Sequence, residues 1–332
     1  MSKKGKMKKR LAVVAALMLV AMVALTGCAG KKSIRVLIGS TAVTGDTYQT
    51  ADFITRAIAD DLNADMRVDP VGSSEMFREL GRAGTDGSTI ALFHDYTFLG
   101  TLYGAYEENW LEEFQVGPTI SINAGTCLAV MANNEYGIED WDSLVEAARE
   151  NVIVFGIEEG SVSNYISEQT KRFLVDNEGV PEENIQFSAL GGMSAQREAL
   201  WAGTIDVFNG SYSADIENTA ERGNTDERTT MNIIALTGRD RLDGVDIPTL
   251  GELTNGRLFY DKEFFFITQK ETDADFIKEL EDAVKDALEN DEELKAQFAQ
   301  NQFMANFKTL EESVPYFNEK MESARQIIES GR

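Results

Sequence analysis

The chain has 332 residues, of which 43% are hydrophobic, so it can bury large cores and does not read as a disordered sequence. Acidic residues outnumber basic ones by 56 to 31, and this excess argues against a nucleic-acid partner, which requires clustered Lys and Arg. The one histidine, His94, excludes metal sites built from several histidines and leaves little for histidine-dependent catalysis.

The first 27 residues have the pattern of an export signal. Basic side chains crowd residues 1–10, and an apolar run extends from Leu11 to Leu25. This run is shorter than the roughly 20 residues that a membrane-spanning helix needs. The tetrad from Leu25 to Cys28 resembles a bacterial lipobox, which implies cleavage before Cys28, lipidation of its thiol and a tether over residues 28–32. An uncleaved anchor and an ordinary secretory signal are the alternatives.

Short apolar runs alternate with helical patterns along the rest of the chain. The pattern predicts strands over 34–38, 66–68, 89–93, 127–131, 152–155, 185–188, 205–208 and 233–236. It predicts helices over 47–62, 75–82, 142–150, 163–176, 194–202 and 275–289, and a last helix opened by a capping box at Thr309 and Glu312. This rhythm predicts an α/β protein with largely parallel sheets.

The α/β pattern restarts near residue 133, which predicts two lobes. The first lobe combines 33–132 with 238–332, and the second comprises 133–237. No low-complexity linker separates them, so the chain is expected to cross between the lobes within ordered structure. Cys127 lies in an apolar run, where a buried structural thiol is expected and a nucleophile is not.

Two strand-to-helix loops offer polar groups to a ligand. The first lacks the lysine of a phosphate-binding P-loop, so nucleotide binding is disfavoured. Hydroxyls and backbone N–H groups at the amino end of a helix can bind a polar or anionic group. The candidate ligand-binding residues are Ser40, Thr41, Ala42, Thr44 and Asp46 in the first loop, and Gly160, Ser161 and Ser163 in the second. The alternative to ligand binding by the first loop is that Asp46 or Thr44 only caps the helix that follows.

Further candidates follow other strand ends, where open α/β sheets bind their ligands. These are His94 with Asp95, and Asn209. A catalytic His–Asp pair needs a nucleophile, and the chain has no Gly-x-Ser-x-Gly elbow, so a surface-anchored hydrolase is the weaker alternative.

Several of these segments together resemble the substrate-binding receptors of tripartite tricarboxylate transporters. Ala42 to Thr47 is similar to a Gly-Gly-x-x-Asp-Thr loop, and Thr85 to Ile90 to Pro-Asp-Gly-Tyr-Thr-Leu. Gly156 to Asn164 resembles the family's second Gly/Ser loop, and 190–207 resembles Tyr-Lys-Gly followed by Gly-Gly-x-Val-Asp. The most specific match is Asp246 to Glu252, which resembles Asp-Val-Pro-Thr-Leu-x-Glu.

The resemblance implies a two-lobed, type II periplasmic-binding-protein fold with a ligand cleft between the lobes. It implies a monomeric, extracytoplasmic receptor, without catalytic activity, cofactor or metal. A small carboxylate would be held by main-chain amides, hydroxyls and waters, and presented to a large and a small transmembrane permease subunit. The alternatives are a TAXI-type receptor of TRAP transporters, which the first loop also resembles, and a sensory binding protein.

The sequence departs from the family pattern at the site itself. Ala42 and Val43 replace two glycines, Glu158 and Glu159 replace small neutral residues, and a family segment is shortened to 70–74, which includes the candidate Ser73. No Lys or Arg lies within 37–54 or 152–169, so these loops cannot supply an arginine clamp. Helix amino ends would then attract a carboxylate, which is the favoured ligand, whereas Glu158 and Glu159 could instead select an amine or be simply solvated.

Overall fold

The computed structural model describes residues 31–330, except 42, 44, 106–108, 124 and 243. The predicted signal peptide, Cys28, and the loop residues Ala42 and Thr44 therefore lie outside the described residues. None of the helices within 31–330 is both long and apolar enough to cross a bilayer. The same residues contain no group of three His, Cys, Asp or Glu side chains placed to hold a metal ion.

Eleven strands are formed by the described residues. They are β1 (Lys32–Ile38), β2 (Ala64–Pro70), β3 (Thr89–His94), β4 (Phe114–Asn123), β5 (Thr126–Met131), β6 (Ile153–Ile157), β7 (Ile185–Ala189), β8 (Phe208–Ser211), β9 (Met231–Leu236), β10 (Lys262–Gln269) and β11 (Phe303–Ala305). Most predicted strands lie within these bounds, but sequence reasoning missed β4, β10 and β11.

The helices cover the faces and ends of the sheets. They are α1 (Asp46–Ile58), α2 (Ser73–Leu80), α3 (Tyr96–Tyr103), α4 (Trp110–Glu113), α5 (Trp141–Glu150), α6 (Val162–Glu178), α7 (Met193–Trp201), α8 (Tyr212–Asp215), α9 (Leu250–Leu253), α10 (Ala274–Asn290), α11 (Glu292–Gln300) and α12 (Leu310–Ser330). The capping box predicted for the last helix is confirmed, since the backbone N–H of Glu312 donates to Thr309 Oγ1 and that of Thr309 donates to the Glu312 carboxylate.

A six-stranded sheet has the order β11-β4-β10-β3-β1-β2. Strand β1 runs parallel to β2 and β3, whereas β10 is antiparallel to both β3 and β4. The expectation of largely parallel sheets is therefore wrong for this sheet, which is mixed. The apolar run of β10 is buried on both faces, so it lacks the alternation that identifies a half-buried strand.

The sheet separates two cores because alternate side chains of a strand point to opposite faces. Ile34, Val36 and Ile38 of β1 pack against α1 and α10, while Leu37 packs on the opposite face with Phe265 of β10 and residues of α12. Burial of these side chains is the main stabilising contribution to the lobe, at about 25 cal/mol per Å2 of apolar surface.

A second group of strands lies between these segments in the chain. Strand β5 pairs antiparallel with β8 and β9, and β6 pairs parallel with β7. A bridge between Phe155 and Val207 connects β6 to the residue just before β8. Cys127 of β5 is buried and free, as expected of a structural thiol, and burial raises the pKa of its thiol well above the usual value.

The strand pairing shifts both predicted lobe boundaries. The boundary after residue 132 leaves β5 in the first lobe, whereas β5 pairs within the second group of strands. Leu250 and Leu258 also pack into the second lobe's core, beyond the boundary after residue 237. We therefore infer that the chain crosses between lobes between β4 and β5 and again just before Lys262.

Candidate ligand-binding site

A cavity of about 410 Å3 lies between the loops of the two lobes. Parallel pairing sets Ile38 of β1 beside Pro70 of β2 and Leu92 of β3, so the residues that follow these three strands meet at one edge. The pairing of Ile157 with Ala189 does the same for the loops after β6 and β7. The lining residues are Gly39, Ser40, Asp46, Thr47, Ser73, Phe93, His94, Tyr96, Thr126, Glu158, Glu159, Ser161, Val162, Ser163, Ile166, Met193, Gln196, Asn209, Gly210 and Lys262.

The structure brings together seven of the residues that sequence analysis selected. They are Ser40, Asp46, Ser73, His94, Ser161, Ser163 and Asn209, and all of them line the cleft. Their contact with a ligand stays a prediction.

Three selected residues do not line the cleft. Thr41 is exposed beside it. Gly160 occupies a turn with φ of 72°, and its N–H donates to Asn164 Oδ1 at 3.2 Å, so it shapes the second loop. Asp95 is fully buried beneath the site and takes part in an ionic network.

That network surrounds the ammonium of Lys320, on α12. Its Nζ lies 2.7 Å from Glu263 Oε2 and 3.2 Å from Asp95 Oδ1. Tyr260 also donates to Asp95, at 2.7 Å. Burial raises the pKa of Asp95 against the opposing charge of Lys320. Asp95 therefore joins the first sheet to the crossing segment and to α12, and its role is structural.

Four helices begin at the cleft: α1 at Asp46, α2 at Ser73, α6 at Val162 and α7 at Met193. The first backbone N–H groups of a helix have no partner within it, and its amino end carries a partial positive charge. Ser161 caps α6 by accepting from Ser163 N. The caps of α1, α2 and α7 are glycines and make no side-chain capping bond. Because helix amino ends without a side-chain cap can bind an anion, the cleft is suitable for one.

One lysine lies among these amino ends. Lys262 Nζ donates to Asp46 Oδ2 at 2.7 Å, and Asn123 Nδ2 donates to the same oxygen at 3.0 Å. Burial by itself would raise the pKa of Asp46, but the charge of Lys262 and the hydrogen bonds from Lys262 and Asn123 together with further contributions outweigh it and lower that pKa to about 2. An ammonium has three donors, and the side chain of Lys262 is 13% exposed at the cleft. It can donate to a ligand while it stays paired with Asp46.

His94 is an uncharged residue in the wall of the cleft. Burial, reinforced by the charge of Lys262, lowers the pKa of His94 well below its usual value. Its Nδ1 accepts from Tyr96 N at 3.3 Å, and its ring packs against Phe93 and Phe264. The hydrogen bond of the imidazole is thus made with the backbone and not with a nucleophile.

The second lobe contributes mainly hydrogen-bond acceptors. Glu158 and Glu159 are exposed at the cleft. Gln196 and Asn209 are 1% and 5% exposed, and each has an amide oxygen without a hydrogen-bond partner. The hydroxyls of Ser161 and Ser163 are 2.9 Å apart and bond within their own loop, where Ser161 Oγ donates to the Glu158 carbonyl.

Sequence reasoning missed Lys262, Gln196 and Met193 as cleft residues. The sequence-based selection was limited to polar residues that follow parallel strands. Lys262 is instead the first residue of β10, which is antiparallel to β3. The amino end of β10 therefore reaches the same edge as His94 at the carboxyl end of β3. The signal that could have found it is the charge of Lys262, two residues before the apolar run from Phe264 to Ile267.

Solved structures share this architecture along nearly the whole chain. A periplasmic transporter structure matches with a TM-score of 0.71 at 17% identity, over 92% of this chain and 99% of its own. The chain has the fold of a two-lobed periplasmic solute-binding protein, and this prediction is confirmed. A TctC solute-binding protein from Polaromonas matches with a TM-score of 0.68 at 14% identity, over 91% of this chain and 100% of its own.

A third similar structure contains a ligand. MatC from Rhodopseudomonas palustris, solved with bound malate, matches with a TM-score of 0.66 at 15% identity, over 89% of this chain and 99% of its own. No protein-family model matches the chain, and no curated protein is significantly similar to it in sequence. Identities this low show a shared fold and do not show which ligand this protein binds.

Proposed function

We propose that this protein is an extracytoplasmic solute-binding receptor of the tripartite tricarboxylate transporter type, and that it binds a small carboxylate between its lobes. The observation that carries the proposal is the position of Lys262 among the amino ends of α1, α2, α6 and α7. It is the one Lys or Arg among the described residues that line the cleft. A charge-assisted hydrogen bond from its ammonium would hold a carboxylate oxygen.

The amino ends of α1 and α2, which have no side-chain cap, support the same assignment. Both helices begin on the first-lobe side of the cleft, where Lys262 also lies. A helix amino end contributes about 0.3–1 kcal/mol to the binding of an anion in an exposed setting, and more when partly buried. The malate in MatC, a protein of the same fold, is a small carboxylate.

Delivery to a membrane partner is part of the proposal and is based on the sequence. The lipobox resemblance implies a lipid anchor on Cys28, outside the cytoplasm. The family resemblance implies a large and a small permease subunit that receive the ligand. The histidine bonded to the backbone supports a binding role without catalysis, since no nucleophile–base pair is formed at His94.

The experiment that tests the proposal is calorimetric titration of the full chain, extracted in mild detergent, with small mono-, di- and tricarboxylates and with their primary amides. We expect carboxylates to bind and the matched amides to fail. Lys262→Met should weaken binding at least tenfold, because a hydrogen bond to a charged group contributes about 1.5–3 kcal/mol. Lys285→Met, on the exposed side of α10, is the control and should bind normally.

Two results would overturn the proposal. One is equal binding of carboxylates and amides, and the other is unchanged carboxylate affinity in the Lys262→Met variant. Either result would show that the Lys262 ammonium and the helix amino ends do not select an anion.

A further inference from the structure

The two walls of the cleft differ in chemistry. On the first-lobe wall lie Lys262 and the open amino ends of α1 and α2. On the second-lobe wall lie Glu158, Glu159 and the amide side chains of Gln196 and Asn209, and no Lys or Arg among the described lining residues. A ligand that spans the cleft therefore meets donors at one end and acceptors at the other.

Gln196 has a buried acceptor that the protein does not satisfy. Its Nε2 donates to the Gly191 carbonyl at 3.3 Å. Because a carbonyl can only accept, the nitrogen must face Gly191, and Oε1 is the atom left without a partner. A residue that is 1% exposed and carries an unpaired oxygen is destabilising unless something else supplies the donor.

Asn209 repeats the pattern on the neighbouring strand β8. Its Nδ2 lies 2.8 Å from Ser167 Oγ, and its Oδ1 has no partner. Two unpaired amide oxygens on one wall, both more than nine-tenths buried, indicate that the missing donor belongs to the ligand.

Glu158 adds negative charge on the same wall. Its Oε2 lies 3.8 Å from the position that a Cβ on Gly192 would occupy, so its carboxylate stands at the amino end of α7. The protein's own carboxylate therefore lies near the helix end that a second ligand carboxylate would need. Such a carboxylate would also face Glu159 and the two amide oxygens, with no described cationic side chain on that wall to offset the repulsion.

We propose that the ligand is a monocarboxylate that carries a protonated nitrogen at its other end. The carboxylate binds on the Lys262 side, and the nitrogen donates to Glu158 and to the amide oxygens of Gln196 and Asn209. This inference rests on the proposed receptor function and deepens it, because it names the ligand class and separates it from dicarboxylates.

The test is calorimetric titration of the full chain in mild detergent with three series of equal chain length, from three to seven carbons. The series are ω-amino acids, dicarboxylates and unsubstituted monocarboxylates. We expect a member of the ω-amino acid series to bind on the order of tenfold more tightly than its dicarboxylate and its unsubstituted analogue.

Variants identify the residues responsible. Glu158→Gln should weaken ω-amino acid binding on the order of tenfold and leave the unsubstituted monocarboxylates unchanged. Glu146→Gln, an exposed glutamate on α5 outside the cleft, is the matched control. Gln196→Met should weaken the binding of ω-amino acids more than that of unsubstituted monocarboxylates, because only the ligand nitrogen uses the Gln196 oxygen. An equal loss for the two series would indicate a purely structural glutamine.

The outcomes separate this inference from the proposed function. Dicarboxylates that bind as tightly as ω-amino acids, or more tightly, overturn the inference and leave the carboxylate receptor intact. The same holds if Glu158→Gln leaves ω-amino acid affinity unchanged. Failure of these three series and of the tricarboxylates to bind overturns both.

Discussion

Lys262 and Asp46 form an ion pair of 2.7 Å in the wall of the cleft, although 216 positions separate them in the chain. Asp46 is the first residue of α1, and Lys262 is the first residue of β10. Asn123, at the end of β4 and next to the first crossing between lobes, donates to the same carboxylate. The pair therefore connects the first-lobe wall of the cleft to the segment where the chain leaves that lobe.

Replacing Asp46 with Asn should separate stability from ligand affinity. The lowered pKa of Asp46, about 2 against an ordinary 3.8, corresponds to about 2 kcal/mol of stabilisation. Because the folded pKa is depressed, this stabilisation is present above about pH 3.8 and is lost as the pH falls toward 2. Urea denaturation should therefore show Asp46→Asn to be less stable by about 2 kcal/mol at neutral pH.

The same variant should bind carboxylates more tightly, because the Lys262 ammonium no longer shares its charge with Asp46. Asp282→Asn, in an exposed pair with Lys278, is the control and should change neither quantity. Weaker carboxylate binding in Asp46→Asn would show that Asp46 positions Lys262 and does not compete for it.

Stability should fall in mild acid because of His94. Burial depresses the folded-state pKa of His94 below its ordinary 6.5. Below about pH 6.5, the imidazole therefore becomes protonated in the unfolded chain while it stays neutral in the folded protein. The free energy of unfolding should then decrease by up to about 1.4 kcal/mol per pH unit as the pH falls. Urea denaturation at pH 7, 6 and 5 measures this slope. His94→Asn should have a smaller slope, and an equal slope would contradict the assignment.

The Lys320 network should make a larger contribution than any surface ion pair. Glu263 and Asp95 are fully buried, so Lys320→Met leaves Asp95 without its cation and leaves Glu263 with Lys308, 3.5 Å away. Removing one partner of a buried pair costs about 3–5 kcal/mol. Lys278→Met, which breaks an exposed pair on α10, should leave the free energy of unfolding nearly unchanged. Similar midpoints of urea denaturation for the two variants would show that the buried network is not structurally important.

Cys28→Ser tests the anchor that the sequence alone predicts. We expect the variant to leave the membrane fraction while its melting temperature stays unchanged, because the described strands and helices, from Lys32 onward, lie downstream of the cysteine. Fractionation and the mass of the processed chain are the measurements. A variant that is cleaved but still anchored would contradict lipidation of Cys28, whereas one that stays at precursor size would be held by its uncleaved apolar run.

Local sequence patterns determined much of this protein. Apolar runs with a period of two or 3.6 predicted most strands and helices, because the side chains that face one core recur at those spacings. Strand-end loops predicted Ser40, Asp46 and Ser161 as cleft residues, since the carboxyl ends of parallel strands share an edge, and the family resemblance added Ser73.

Tertiary structure decided the electrostatics of the cleft. The position of Lys262 depends on antiparallel pairing between β10 and β3, which are distant in sequence, and no local pattern encodes that pairing. The same holds for the unpaired oxygens of Gln196 and Asn209, because a glutamine or asparagine in a sequence does not show whether folding will give its oxygen a partner. Burial and long-range contact set these charges and hydrogen bonds, and both arise only when the chain has folded.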